Sequence, residues 1–216
     1  MSQREEQRAR TRGLIIEAAA REFARHGYAG TTFASIAAVL GKPKSAIPYD
    51  QFPSKHAIAA AVLDDHFDRL RAALDEVRAT EPPGLDALLT ALVAGARLDA
   101  TSPIAHGAIR LLLEHHEEMA PARAADAVAF VRANVAAAVA NGDVRTDVDG
   151  SVLTRRLLVG ALGAHAAALY RLSRTPIEDT LCSSWAIVLR DVGVPATRVD
   201  EIIARATAAT AAPAGR

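Results

Sequence analysis

Lys42, Lys44, Ser45 and Lys55 fall within one short stretch, GYAGTTFASIAAVLGKPKSAIPYDQFPSK (residues 27–55), together with Thr32, Tyr49 and Asp50. Ammonium and hydroxyl groups so placed can donate to phosphate oxygens or to the acceptor edge of guanine. This is the chemistry of reading a polyanion. The charge distribution agrees: residues 1–55 hold nine Lys or Arg against five acids, giving +4, while the rest of the chain holds 16 against 20, giving −4. A net charge of zero thus hides a basic head on an acidic body, which is where phosphate neutralisation would need it.

The elements that must present these groups are two short helices meeting at a Gly-Lys-Pro turn. Thr31 or Thr32 can cap a helix whose apolar positions Phe33, Ile36, Ala37 and Leu40 recur at helical spacing, and Gly41 suits the left-handed position after its end. Ser35 stands where a capping box would carry Glu or Gln, which weakens the box. A second helix is expected from Pro43 or Lys44, with Lys44, Ser45, Tyr49 and Asp50 outward and Ala46, Ile47 and Phe52 inward. Pro48 inside it removes a backbone hydrogen bond at a cost of roughly 3 kcal/mol in a regular helix, so a bent or shifted helix is expected. In a helix-turn-helix the second helix enters the major groove. The arm before it, with Arg4, Arg8, Arg10 and Arg12, is either a further phosphate or minor-groove contact or a frayed tail.

Composition sets the fold class. Half of the chain is hydrophobic yet only 4% is aromatic, which points to an alanine-rich, all-α protein. One cysteine, Cys182, excludes an internal disulfide framework and fits a reducing cytoplasm. No apolar run is expected to reach membrane-spanning length and no secretory signal is visible, so no membrane partner is expected. Catalysis finds no support either. Ser183 and Ser184 lack a nucleophile elbow, Cys182 has no motif partner, and no glycine-rich phosphate loop is present. The run Glu114-His115-His116-Glu117-Glu118 lacks metal-ligand spacing, so neither metal nor cofactor is expected.

Beyond residue 55 the pattern predicts helices at 55–80, 85–100, 104–118, 121–141, 149–172, 177–192 and 196–208, about ten in all with three in the head. Breaks such as Pro82-Pro83-Gly84, Ser102-Pro103 and Asn141-Gly142 separate them. Helix 149–172 keeps one side small with Gly160, Gly163, Ala164, Ala167 and Ala168, and helix 177–192 supplies bulk, so this pair suits either an internal core or a dimer interface. His106 and Arg110 share a helix face and can serve as polar groups of an apolar pocket or as an interhelical salt link. Trp185 suits core packing and pocket lining equally.

The run TRGLIIEAAAREFARHGY, TTFASIAAVLG, KSAI-PYDQF and PSK resembles the DNA-binding domain of TetR-family repressors, although the span from Gly41 to Phe52 is one residue longer than the usual family spacing. In the body, Ala96-Arg97-Leu98, SPIAHGAIRL (102–111), AVANGDVRTDVD (138–149) and SSWAIVLRDVGVP (183–195) are similar to the γ-butyrolactone autoregulator receptors. The resemblance implies a helix-turn-helix domain over 1–54 and a ligand-binding and dimerisation domain over 55–216. It further implies a homodimer through helices 149–172 and 177–192 that represses antibiotic-production genes and leaves operator DNA when a small butyrolactone-type or furan-like inducer binds. That branch places a tryptophan on the helix corresponding to 121–141. Here the aromatic is Phe130, so a different ligand or a pseudo-receptor is implied, with Phe130, Trp185, His106 and Arg110 as pocket candidates. The contrasting readings are an all-α small-molecule-binding protein or enzyme without a DNA role, and a ligand-blind DNA-binding dimer.

Overall fold

The computed structural model describes the backbone of residues 2–43, 45, 47–48, 50–119 and 121–211. Among them are α1 (Gln3–Gly30), α2 (Phe33–Val39), α3 (Lys55–Thr80), α4 (Leu85–Thr101), α5 (Pro103–Met119), α6 (Pro121–Ala140), α7 (Gly150–Leu169), α8 (Ile177–Asp191) and α9 (Ala196–Ala211), with no strand among the described residues. The chain divides into two compact units, Met1–Asp68 with Thr101–Arg123, and Arg69–Ala100 with Ala124–Arg216.

In the first unit the basic arm is helical from Gln3. Ser2 accepts from the Glu5 amide while the Glu5 carboxylate accepts from the Ser2 amide at 2.7 Å, a reciprocal cap that holds the first turn. α1 is interrupted at Gly27, whose φ of 68° and ψ of −177° lie in a region open essentially to glycine. Further along, α5 crosses α1 so closely that a Cβ on Gly107 would stand 2.5 Å from the Ala20 carbonyl oxygen. Ile15, Phe23, Ile36, Phe52, Ile58, Leu63 and Leu111 fill the core between α1, α2, α3 and α5.

α2 follows from its caps. Thr32 accepts from the Ser35 amide at 3.1 Å and donates its own amide to Ser35 Oγ at 3.0 Å. The serine thus completes the box that its short side chain was expected to weaken, because a hydroxyl at this position still reaches the cap amide. At the other end Gly41 has φ 65°, and the amides of Gly41 and Lys42 donate to the carbonyls of Ala38 and Ala37, a Schellman closure.

Among the described residues between Lys42 and Ser54 none is α-helical, and Ser45 lies in a 3₁₀ turn. Pro48 instead starts a turn, its carbonyl accepting from the amides of Gln51 at 3.2 Å and Phe52 at 3.0 Å. Proline has no N–H to continue a helix from the turn before it, but its carbonyl remains free to begin a new one. Ile47 and Phe52 are buried as the pattern required.

The second unit packs around Leu88, Leu89, Val93, Val135, Leu153, Leu157, Trp185, Leu189 and Ile202. α9 is tied to α4 by Arg198 and Arg205, which both reach the Asp86 carboxylate. One expectation is corrected here. α7, Gly150–Leu169, is by length and composition long and apolar enough to cross a bilayer, with a mean hydropathy of 1.3. Its apolarity comes mainly from leucines and valines that alanine and glycine separate, and Leu153, Leu157 and Ala164 from it are buried in the helical core.

Candidate nucleic-acid interface and ligand cavity

The head gathers most of its expected polar groups around the α2 turn and the Pro48 turn. Thr32 is exposed at the start of α2, although its hydroxyl is engaged in the cap, and Lys42 and Ser45 are exposed after its end. Lys44 and Tyr49 lie outside the described residues. Asp50 is exposed and held by Arg8 at 2.6 Å, while the Arg12 guanidinium lies 4.9 Å from the centre of the Phe52 ring. The basic face of α1 is therefore pinned to the Pro48 turn rather than trailing as a free arm. An exposed ion pair of this kind contributes under about 1 kcal/mol, so its consequence is mainly geometric.

Lys55, at the start of α3, occupies a part-buried position. Its Nζ donates to the Tyr28 carbonyl at 2.7 Å and lies 4.4 Å from the centre of the Tyr28 ring. From the other side the Tyr28 amide donates to Glu114 Oε2 at 2.8 Å. Glu114 also accepts from Arg110 Nε at 2.8 Å, and Arg110 reaches the Ala24 carbonyl at 3.4 Å. The break in α1 at Gly27 thus has its freed backbone groups answered by α3 and α5. No sequence motif signals this, since Glu114 and Tyr28 are 86 residues apart.

The pocket candidates separate into two sets. His106 and Arg110 belong to α5 in the first unit, where His106 is exposed and Arg110 has the partners just described. Phe130 and Trp185 come together in the second unit, where they line a cavity of about 140 Å³ with Leu70, Leu74, Leu92, Leu158 and Leu181. The Phe130 ring is backed by the Arg78 guanidinium at 5.1 Å, itself held by Asp75 and Asp126. Two further cavity residues, Asp99 and His165, were not foreseen as a pair: His165 Nε2 is 2.8 Å from Asp99 Oδ2, and its Nδ1 is 2.7 Å from the Ala161 carbonyl.

Both ring nitrogens of His165 face oxygens that only accept, which requires the doubly protonated imidazolium. Burial alone would discharge the ring. The hydrogen bond and charge of Asp99, with the Ala161 carbonyl, overcome that and raise its pKa above the ordinary 6.5. The cavity therefore holds an ion pair that is internally neutral. Trp185, 1% exposed, leaves its Nε1 without a partner among the described residues. A buried N–H in that state carries its desolvation cost uncompensated.

Residues 15–62 match the family described as bacterial regulatory proteins, tetR family. Among solved structures, CprB from Streptomyces coelicolor in complex with its biological operator sequence is 26% identical, with a TM-score of 0.79 over 96% of this chain and 100% of that one. A γ-butyrolactone receptor described as an ArpA-like protein is also 26% identical, with a TM-score of 0.77 over 94% and 98%. A third structure, described as the molecular basis for control of antibiotic production by a bacterial hormone, is 26% identical, with a TM-score of 0.66 over 85% and 95%. No curated protein matches the chain by sequence. The capped α2 falls inside the matched segment, so residues 15–62 carry the domain of the tetR family of bacterial regulatory proteins, and the chain as a whole is similar in structure to the γ-butyrolactone receptors.

Proposed function

We propose that this regulator is a ligand-responsive repressor that binds operator DNA as a homodimer and is released by a small, largely apolar signal of the γ-butyrolactone or furan class, controlling secondary-metabolite or antibiotic genes in the cytoplasm. The observation that carries the reading is the pairing of a family-matched head with a lined cavity in the body. Residues 1–54 would read DNA with Thr32, Lys42, Lys44, Ser45, Tyr49 and Asp50 at the contact surface, joined by Lys55 at the start of α3. Residues 55–216 would sense and dimerise. Support for the dimer comes from α7 and α8, where Val159, Leu162 and Ile187 are exposed by 62, 45 and 67%. Around Gly160 and Gly163 a Cβ would meet nothing within 4 Å. Apolar, small-residue faces of this kind suit close helix pairing across a two-fold axis.

The mechanism is a population shift. At about 140 Å³ the cavity is smaller than the roughly 300–1,000 Å³ of sites that enclose whole ligands. A ligand that fits only an expanded cavity favours the expanded state, and coupling requires only that this state bind operator less well. The test is a gel shift with the promoter region beside the chain's own gene, followed by addition of a lactone and a furan panel. Specific retention and release by one panel member is the expected result. Absence of specific retention would favour the small-molecule-binding alternative, and retention that no panel member reverses would leave a ligand-blind DNA-binding dimer.

A further inference from the structure

We infer that Asp50 stands in for a DNA backbone phosphate: it occupies Arg8 beside a groove between α1 and the Pro48 turn, and a phosphate of bound DNA takes its place there, next to Arg12. This inference rests on the DNA-binding half of the reading above and assigns Asp50 to limiting affinity rather than to reading bases.

The groove has a volume of about 430 Å³ and is lined by Glu5, Arg8, Ala9 and Arg12 of α1 with Gln51 of the turn. Arg8 and Arg12 stand four residues apart and so share one helix face. The two carboxylates nearby are both engaged: Glu5 accepts from the Ser2 amide at 2.7 Å, and Asp50 accepts from Arg8 at 2.6 Å. Arg12 has no carboxylate partner among the described residues. Its guanidinium lies 4.9 Å from the centre of the Phe52 ring, which is 1% exposed and so offers the cation a fixed shelf. One cation is thus occupied by an internal anion while its neighbour is left for an external one. Phosphodiester oxygens accept from a guanidinium fork as a carboxylate does. The internal occupant is readily exchanged, because the Arg8 and Asp50 side chains are 60% and 64% exposed and water takes up the released carboxylate, whereas each phosphate neutralised sets counterions free. After the exchange Asp50 remains as a negative charge beside the phosphate, which is how it limits affinity.

The experiment is fluorescence anisotropy of the full chain with two labelled duplexes of equal length, the promoter region beside its own gene and a scrambled sequence, over a range of salt from about 50 to 200 mM. Asp50→Asn keeps the shape of the side chain and removes its charge. It is expected to tighten binding to both duplexes by at least about threefold at the lowest salt and to steepen the slope of log affinity against log salt by about one unit. Arg12→Gln is expected to make the slope shallower by about one unit on both duplexes, and Arg12→Lys to restore it, a rescue that lost packing on Phe52 would not give. Adding Arg8→Gln to Asp50→Asn should remove the steepening.

Weaker binding of Asp50→Asn to the promoter duplex alone would make Asp50 a base contact and overturn the inference. Weaker binding of that variant to both duplexes would make it a structural pin, with the same result, and so would slopes that neither Asp50→Asn nor Arg12→Gln changes. A gain of affinity cannot arise from a variant that fails to fold, so the expected outcome for Asp50→Asn is its own folding control. Failure of the proposed function is read separately: a wild-type protein that does not prefer the promoter duplex sinks the operator reading, whereas the salt slopes on the scrambled duplex still judge the phosphate seat.

Discussion

The Lys55 ammonium spans the Tyr28 residue, donating to its carbonyl at 2.7 Å while lying 4.4 Å from the centre of its ring. One cation thereby fixes the joint between α1 and α2, leaving two of its three N–H donors for another acceptor. Lys55→Ala is expected to lower the stability of the head by about 1–2 kcal/mol, the sum of a charge-assisted hydrogen bond and a cation–π contact. If Lys55 also meets a phosphate, the slope of log affinity against log salt falls by about one unit. Thermal denaturation and filter binding at several salt concentrations read the two effects separately, and an unchanged slope would confine Lys55 to positioning Tyr28.

Gly27 carries two constraints at once. Its φ of 68° strains any other residue, and a Cβ there would run into the Glu114 carboxylate that accepts the Tyr28 amide. Gly27→Ala should cost about 2–4 kcal/mol in a denaturant titration, more than the roughly 1 kcal/mol of an ordinary positive-φ replacement. Glu114→Gln keeps an acceptor and should recover most of the wild-type stability, so a large loss in Glu114→Gln would mean that charge rather than hydrogen bonding holds the joint.

The Asp99–His165 pair makes stability depend on pH in a definite direction. The folded pKa of His165 lies above its ordinary 6.5, so its contribution is complete at pH below about 6.5 and is lost as pH rises through the folded value. Cys182 does not intrude, because burial first, and then the negative charges of Glu178 and Asp179, push its thiol above the ordinary 9.0 against the opposing pull of Arg97. The melting temperature should decline as pH rises above about 6.5, and His165→Gln should flatten that decline. A profile with the same slope in the variant would remove His165 as its source.

Ile187 stands 67% exposed on α8 and Val159 62% exposed on α7. A glutamate at either place leaves the protomer's own core untouched but puts an unpaired charge into the proposed dimer interface. Ile187→Glu should weaken dimerisation by at least about a hundredfold, roughly 3 kcal/mol. Sedimentation of wild type and variant at matched concentration checks this, and an unchanged dimer would move the interface elsewhere.

Much of this architecture was legible from local rules. Pro103, Pro121 and Pro176 mark the starts of α5, α6 and α8 because proline suits a first turn or cap, and Gly41 ends α2 because it accepts φ 65°. Ser35 was misjudged, since a hydroxyl closes the box as a longer carboxylate would. The turn at Pro48 was anticipated as a distortion, but its form depends on which carbonyls it leaves free. Least legible were the pairings across long separations. Glu114 with Tyr28, and Asp99 with His165, join residues 86 and 66 apart whose types alone suggest solvent exposure or generic packing. Of the pocket candidates, Phe130 was named by the resemblance of the body and Trp185 was left open between core and pocket, and the two line one cavity. The polar pair that accompanies them was hidden, because only the packing of α4 against α7 makes Asp99 and His165 neighbours.

Trp185 is the only tryptophan in the chain, and it sits 1% exposed with its indole N–H unpaired among the described residues. Indole emission responds to the polarity and hydrogen bonding around it, and here every photon comes from one site inside the cavity wall. The protein therefore carries its own optical reporter, starting from the blue, water-excluded end of the tryptophan range. A shift toward longer wavelength would register an acceptor or water arriving at that N–H, even with the protein seated on DNA, whose bases contribute almost no fluorescence of their own.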